Sequence, residues 1–396
     1  MPSHVNFFEK ARHRVAHLRR KKPDSPRAAA LSLALWSLEK AVTGRLSGDV
    51  CCLAPASGPT LAVRALVRGG VGDNLLAAAF LHGLASLADA PVSFTVHASA
   101  PTDVFRSLVF GHAEFASVRS LRETPRGPCD LAVDITRAAS FPGMNEARLA
   151  RLAPRLLDFV RRAEAFRREN PVLFSDEGQR AGMDLADVLG VFRPGQADLT
   201  GTIPLRESPF ALVCEKDPDA VRRTFGLPEG FVTLHRESGD GGPDSLKLWP
   251  AERYAELVRE LRRRAPRRVP VLVGSRREED IPGALDLRGR TTFAELKALL
   301  QGSALHVGGE GLVPHLRHFL RGGPSVVLFG PTSPRHYGYP ENVNLHGALC
   351  PEGCEWLTSS WQQSCVRGHA RCRSMEEITV PDILQHSAAL LPDITL

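Results

Sequence analysis

The chain has no apolar run near the ~20 residues that a membrane span needs, and its N-terminus has no apolar core followed by a small-residue cleavage site. These absences argue against a membrane-spanning or secreted protein and for the cytoplasm or the inner face of a membrane. The net charge of +6 over 396 residues is too weak to argue for nucleic acid, though it suits an anionic substrate. There is no repeat of 20–50 residues and no low-complexity tract, which removes solenoids and arrays. A phosphate-cradling Gly-Lys-Ser/Thr is missing after the glycine turn at 69–72. The dinucleotide fingerprint also fails there: counted from Gly70, its last glycine position holds Leu75. That failure counts against an oxidoreductase of the dinucleotide-binding type.

What is present is an alternation of strands and helices from about residue 50. VCCLA (50–54), LAVRALV (61–67), VSFTVHA (92–98) and LAVDI (131–135) read as strands, with helices over 74–88 and 147–168. Residues 195–209 are rich in glycine, proline and polar groups and read as a linker. The pattern then restarts with strands at 231–235, 269–274, 304–308 and 324–330 and helices at 250–264 and 292–302. This predicts an α/β fold of two Rossmann-like units with largely parallel sheets, facing across a cleft. The expected divisions are a helical extension over 1–48, a first Rossmann-like unit over 49–205 and a second over 206–396 that includes the cysteines of 350–372. Residues 1–22 are basic and amphipathic, fit either to lie on an anionic membrane surface or to dock on the protein itself.

Two loops carry the chemistry. RGGVGDNLLAAAF (68–80) and HVGGEGLVPHLRHFL (306–320) each place glycines between an apolar strand and a helix start. That arrangement aims backbone N–H groups at an anion. Asp73 in the first turn is by default a helix cap, and in a cleft it is placed to act as a base. Lys247 is either a surface lysine beside a core tryptophan or a point charge for a phosphate. Glu278, just past a strand end, is either a solvated helix start or an acceptor for ribose hydroxyls.

In this order the segments resemble the heptosyltransferase-like glycosyltransferases of family 9, over roughly residues 61–385. The opening glycine turn with Gly70, Gly72 and Asp73 matches well. So do Lys247-Leu248-Trp249-Pro250, Gly274 with Glu278, and Phe329-Gly330-Pro331-Thr332. The family's Gly-x-Asp/Glu-x-Gly…His-Leu loop is matched loosely by Gly308, Gly309, Glu310, Gly311, Leu312, His315 and Leu316. The common Asp-Ser/Thr-Gly before the histidine is here Glu310-Gly311-Leu312-Val313-Pro314, and Arg317 and His318 replace small residues. The resemblance implies a two-domain GT-B fold. It also implies transfer, with inversion, of a sugar such as heptose from a nucleotide-diphosphate donor such as an ADP-linked one.

The acceptor class implied is lipopolysaccharide core or capsule, with a protein hydroxyl or a binding-only relative as alternatives. Asp73 would be the base. Lys247 and the N–H groups of 309–313 would meet the diphosphate without a catalytic metal. Glu278 would read the ribose, Thr332 would add a hydroxyl, and domain closure would bring Asp73 to the donor.

Four of the eight cysteines stand as C-x3-C-x10-C-x6-C: Cys350, Cys354, Cys365 and Cys372. Two close pairs joined by a loop suit a tetrahedral thiolate site for structural zinc or iron, or else remain reduced thiols. The arginines from Arg148 to Arg168 are either a solvated helix face or a meeting place for a phosphorylated acceptor.

Overall fold

A computed structural model describes residues 58–169 and 210–394, except for 124, 126, 136–138, 239–241, 243–244, 276–278, 351–353 and 355–359. The N-terminal extension, Cys51 and Cys52, strand 50–54, the linker and Glu278 therefore lie outside the described residues.

The first sheet holds β1 (Leu61–Val67), β2 (Val92–Ala98), β3 (Ser117–Ser120), β4 (Leu131–Ile135) and β5 (Ala139–Met144) in the order β3-β2-β1-β4-β5. All pairings are parallel except β4–β5, which is antiparallel with an irregular register between Ala132 and Asp134. The second sheet holds β6 (Val232–His235), β7 (Pro270–Leu272), β8 (Leu285–Asp286), β9 (Leu305–Gly309), β10 (Ser325–Phe329) and β11 (Val343–His346). Its order is β11-β10-β9-β6-β7-β8, and every pair is parallel. Both sheets reverse strand order beside their first strand, at β1/β4 and at β6/β9. Ligands of open parallel sheets collect in the crevice outside the carboxyl ends at such a reversal. The two glycine loops leave β1 and β9, one at each reversal.

α1 (Val71–Ala85) follows the first loop and is buried on nearly every side, from Asn74 to Leu81 and at Gly83 and Leu84. A helix this apolar all round needs cover on both faces. One cover is the first sheet. The other is α8 (Leu312–Leu320), numbered after α2 (Thr102–Leu108), α3 (Glu146–Leu152), α4 (Pro154–Glu169), α5 (Pro218–Thr224), α6 (Ala251–Arg264) and α7 (Phe293–Gly302). One apolar cluster accordingly runs from Leu61, Leu75 and Phe80 through to Leu299, Val313 and Leu316, across both sheets' helices. A second fills the far side of the second sheet, around Trp249, Tyr254, Leu257 and Ile383.

The helix expected over 147–168 is two helices. Ala153 leaves helical geometry (φ −158°, ψ 60°) because Pro154 crowds the residue before it and has no N–H to donate. The arginines there are largely engaged within the protein. Arg148 is buried, its Nε 2.7 Å from Asp130, and it donates to the carbonyls of Gly58 and Thr60. Arg155 donates to the Ser86 carbonyl, Arg161 pairs with Glu146, and Arg162 pairs with Asp158.

The halves are also locked by a buried lysine. Lys297 on α7 is fully buried; its Nζ lies 2.7 Å from Glu215 and donates to the carbonyls of Ser107 (2.6 Å) and Val213 (2.8 Å). Removing one partner of a buried pair strands the other, at about 3–5 kcal/mol. Lys297→Met should therefore lower unfolding stability in urea by about 3 kcal/mol, given that Glu215 keeps some solvent contact. An unchanged midpoint would show that the lock contributes nothing.

Candidate active site

Chain reversal at Gly69 sets up the first loop. Gly69 has φ +103°, and a Cβ there would lie 2.5 Å from the Asp73 carboxylate. Gly70 is extended (φ −72°, ψ −179°), and its N–H donates to Asp73 Oδ2 at 2.7 Å. Asp73 thus closes the N-terminus of α1, as its position predicts, with its carboxylate held at the mouth of the loop. Asn74 stitches the turn from beneath. Its buried amide donates to the carbonyl of Gly70 (2.7 Å) and to Ser99 Oγ (3.0 Å), while Ser99 donates to the Gly69 carbonyl (2.7 Å). Sequence reading named Gly70 and Gly72 but missed Gly69 and Asn74. The requirement at Gly69 is a positive φ with no space for a side chain, which no local pattern announces.

The second loop is built by register. Gly308 pairs with His235 across β9 and β6, and Gly309 pairs with Leu328 across β10. The Glu310 N–H donates to the Leu328 carbonyl (3.0 Å), so it is committed to the sheet edge. Of the amides of 309–313 expected to face an anion, this one is withdrawn. Pro314 has no N–H to add. The first turn of α8, entered through Gly311, leaves the N–H groups of Leu312 and Val313 without intrahelical partners. His315 is buried, with Nδ1 2.8 Å from the Tyr339 hydroxyl.

Lys247 reaches this loop. Its Nζ forms a close ion pair with Glu310 Oε2, both side chains being largely shielded from solvent. Gly309 lies against the Lys247 carbonyl. The neighbouring Trp249 is the core anchor that Lys-x-Trp-Pro suggested: it is buried, donates Nε1–H to the Ile378 carbonyl (3.0 Å), and meets Tyr254 edge-on at 5.0 Å. The Tyr254 hydroxyl donates to the His235 carbonyl at 2.8 Å. His235 and His306 sit at the strand reversal, and burial lowers the pKa of both, that of His306 well below the ordinary value.

Gly274 ends β7, and a Cβ there would collide with the Glu237 carboxylate. Glu237 accepts from Ser275 Oγ at 3.0 Å, so it is the carboxylate that the described residues place at this strand edge. Thr332 is buried after the Phe-Gly-Pro turn. That turn rests on the cysteine segment: Gly330 lies against Cys372 and Met375, and Ser374 Oγ donates to the Phe329 carbonyl at 2.7 Å. Cys350 and Cys372 are buried and Cys354 and Cys365 are partly exposed. Burial raises the Cys372 thiol pKa, and the neighbouring Cys350 and Cys365 raise it further.

The two loops meet. A Cβ at Gly72 would be 3.6 Å from the His315 ring and 3.7 Å from Leu312 Cα. The turn bearing Asp73 is therefore seated against the N-terminus of α8. Gly69→Ala should displace the Asp73 carboxylate, adding about 1–2 kcal/mol of backbone strain. Gly70→Ala, with an ordinary φ and no atom nearer than 3.6 Å, should be tolerated. Thermal midpoints of the two variants check this; equal midpoints would contradict it.

Residues 207–357 match the model of glycosyltransferase family 9 (heptosyltransferase). No curated protein matches the sequence. Among solved structures, a family 9 glycosyl transferase from Veillonella parvula aligns with a TM-score of 0.57 at 15% identity, covering 84% of this chain and 98% of that one. The ADP-heptose lps heptosyltransferase II of E. coli aligns at 0.52 and 17% identity, over 84% and 99%. The iron-containing dodecameric glycosyltransferase TibC from enterotoxigenic E. coli aligns at 0.54 and 14% identity, over 85% and 77%. These likenesses establish a shared GT-B-like fold, and the matched segment contains Lys247, Glu310, His315 and Thr332. Residues 207–357 are thus similar to glycosyltransferase family 9 (heptosyltransferase), within a chain that carries the fold of solved structures of that kind.

Proposed function

We propose that the protein is an inverting glycosyltransferase that moves a sugar, heptose by kinship, from an ADP-linked donor to a hydroxyl of a surface glycan such as lipopolysaccharide core. The observation that carries this reading is the contact of Gly72 with Leu312 and His315. It brings the turn that carries Asp73 to the N-terminus of α8, just after Glu310, the partner of Lys247, and these are the groups we assign to the reaction. The Asp73 carboxylate takes the proton of the acceptor hydroxyl as its oxygen attacks the anomeric carbon. The bond from that carbon to the diphosphate oxygen breaks, and the diphosphate leaves with the electron pair. The N–H groups of Leu312 and Val313 and the Lys247 ammonium receive the developing charge in a partly desolvated site. Glu310 holds Lys247 at that place and yields it to the diphosphate. Glu237, beside the end of β7, and Glu278, which lies outside the described residues, are the carboxylates we assign to the ribose.

A protein hydroxyl is the second acceptor class, favoured by the cysteine segment and the likeness to TibC, which contains iron. Four thiols in one segment are the donor class that zinc or iron takes, and Cys350 and Cys365 lie near enough to Cys372 to raise its pKa, but among the described residues the four do not gather within ligand distance of one another, so binding would require the segment to draw them together. A metal bound there would stiffen the support of the Phe-Gly-Pro-Thr turn and take no part in transfer. A membrane contact through the basic N-terminus belongs to the same proposal. Among the described residues no helix is long and apolar enough to cross a membrane.

A thermal-shift series with ADP, GDP, UDP and CDP should give its largest rise with ADP, and Lys247→Ala should weaken that ligand about tenfold or more. Asp73→Asn should lower kcat about 10²–10⁴-fold while keeping the ADP shift. Turnover retained in Asp73→Asn would remove Asp73 as the base. No shift with any diphosphate at millimolar concentration would remove the donor site.

A further inference from the structure

The end of α1 remote from Asp73 carries a second cluster. His82 in the last turn has Nδ1 2.6 Å from Glu114 Oε1, and His112 Nδ1 is 3.6 Å from the same oxygen. Ligand atoms of all three side chains lie within 4.8 Å of one another, and each residue is partly buried. Asp73 and His82 are nine residues apart on one helix, or about 14 Å at the α-helical rise. The cluster is therefore separate from the proposed reaction centre.

The protonation pattern is informative. His112 Nε2 lies 2.8 Å from the Ala211 carbonyl, which can only accept, so Nε2 carries the hydrogen. In a neutral ring Nδ1 then bears a lone pair, and it faces a carboxylate oxygen that is also an acceptor. Two acceptors turned toward each other are reconciled either by a second proton on the ring or by a metal cation between them. A histidine that gives its other N–H to a backbone carbonyl while presenting a bare nitrogen is the common arrangement of a metal ligand. The rest of the cluster is fixed in place. The His112 and Phe115 amides donate within the turn, to Val109 and His112, and Phe94 N–H donates to the Glu114 carbonyl at 2.7 Å. The His112 ring stacks on Phe210 at 4.7 Å, and Phe210 meets Phe319 of α8 edge-on at 5.4 Å.

We propose that His82, His112 and Glu114 bind a divalent cation of the zinc class, which braces the junction between the two halves. Two imidazoles and one carboxylate are a donor set that zinc and its neighbours favour, with water completing the shell. The residues come from α1 and the turn after α2, and the carbonyl that orients His112 belongs to the chain entering the second sheet. Leu212 N–H there donates to the Phe319 carbonyl at 2.9 Å. A cation would thus fasten that entry segment to the first half, beside the Lys297 lock.

The full-length protein, stripped by chelation, is titrated with Co2+ and then Zn2+. Cobalt held by thiolates shows intense near-ultraviolet charge-transfer absorption, and cobalt held by nitrogen and oxygen does not, so the cysteine segment is read separately. The wild type should bind one more equivalent than His112→Ala or Glu114→Gln, with the thiolate band unchanged between them. Zinc affinity at the extra equivalent should fall at least tenfold in either variant, and the zinc-dependent rise in thermal midpoint should fall with it. If His112→Ala does not fold, His82→Gln, which keeps a hydrogen bond to Glu114, carries the comparison. Equal metal counts in wild type and variants, or uptake by the thiolates alone, would overturn the proposal and leave the cluster as a protonated ion pair.

Discussion

Two helix N-termini meet at the centre of this molecule, and the site follows from that meeting. Gly72 in the first turn of α1 touches the backbone of Leu312 in the first turn of α8. Each helix start carries partial positive charge, so bringing them together is favourable only where negative charge is placed between them. The chain supplies Asp73 at one terminus and Glu310 at the other, and Lys247 balances Glu310. A Cβ at position 72 would make ordinary van der Waals contact with the His315 ring and the Leu312 backbone, so the approach does not depend on glycine there.

That approach is held from outside the site. The apolar cluster continues from the first sheet through α1 to α8, and the buried Lys297 ties α7 to the last turn of α2 and to the chain entering the second sheet, through the carbonyls of Ser107 and Val213, 190 and 84 residues away in sequence. Arg317 is part of the same system. It is buried, its pKa pushed down to about 9 by burial, and it donates to carbonyls at Leu300 and Pro324 and to the Ser325 hydroxyl. It binds the body of α8 to the end of α7 and the start of β10.

Much of the second half was legible because its strands are short apolar runs closed by glycine and its helices have clear stops. β9 and β10 fall within a residue of the expected spans, and α7 begins at the Thr292–Glu295 capping box. The short or edge elements β3, β5, β8 and β11 were not legible, since their formation depends on a neighbouring strand more than on their own composition. The break at Ala153 was written in Pro154 but hidden by a helical pattern that continues on both sides.

By itself the sequence determined which residues carry charge at the loops, where each glycine turn falls between strand and helix, and the order of motifs that marks the family. These are local or linear properties, set by backbone sterics and side-chain chemistry. Only the tertiary structure decided that Gly69 is the glycine the turn cannot replace, that Lys247 pairs with Glu310, that the Glu310 amide is committed to β10, and that His82, His112 and Glu114 converge. Each depends on groups brought together by sheet register and by the packing of α1 on α8, and contacts of that kind leave no period or spacing in the chain.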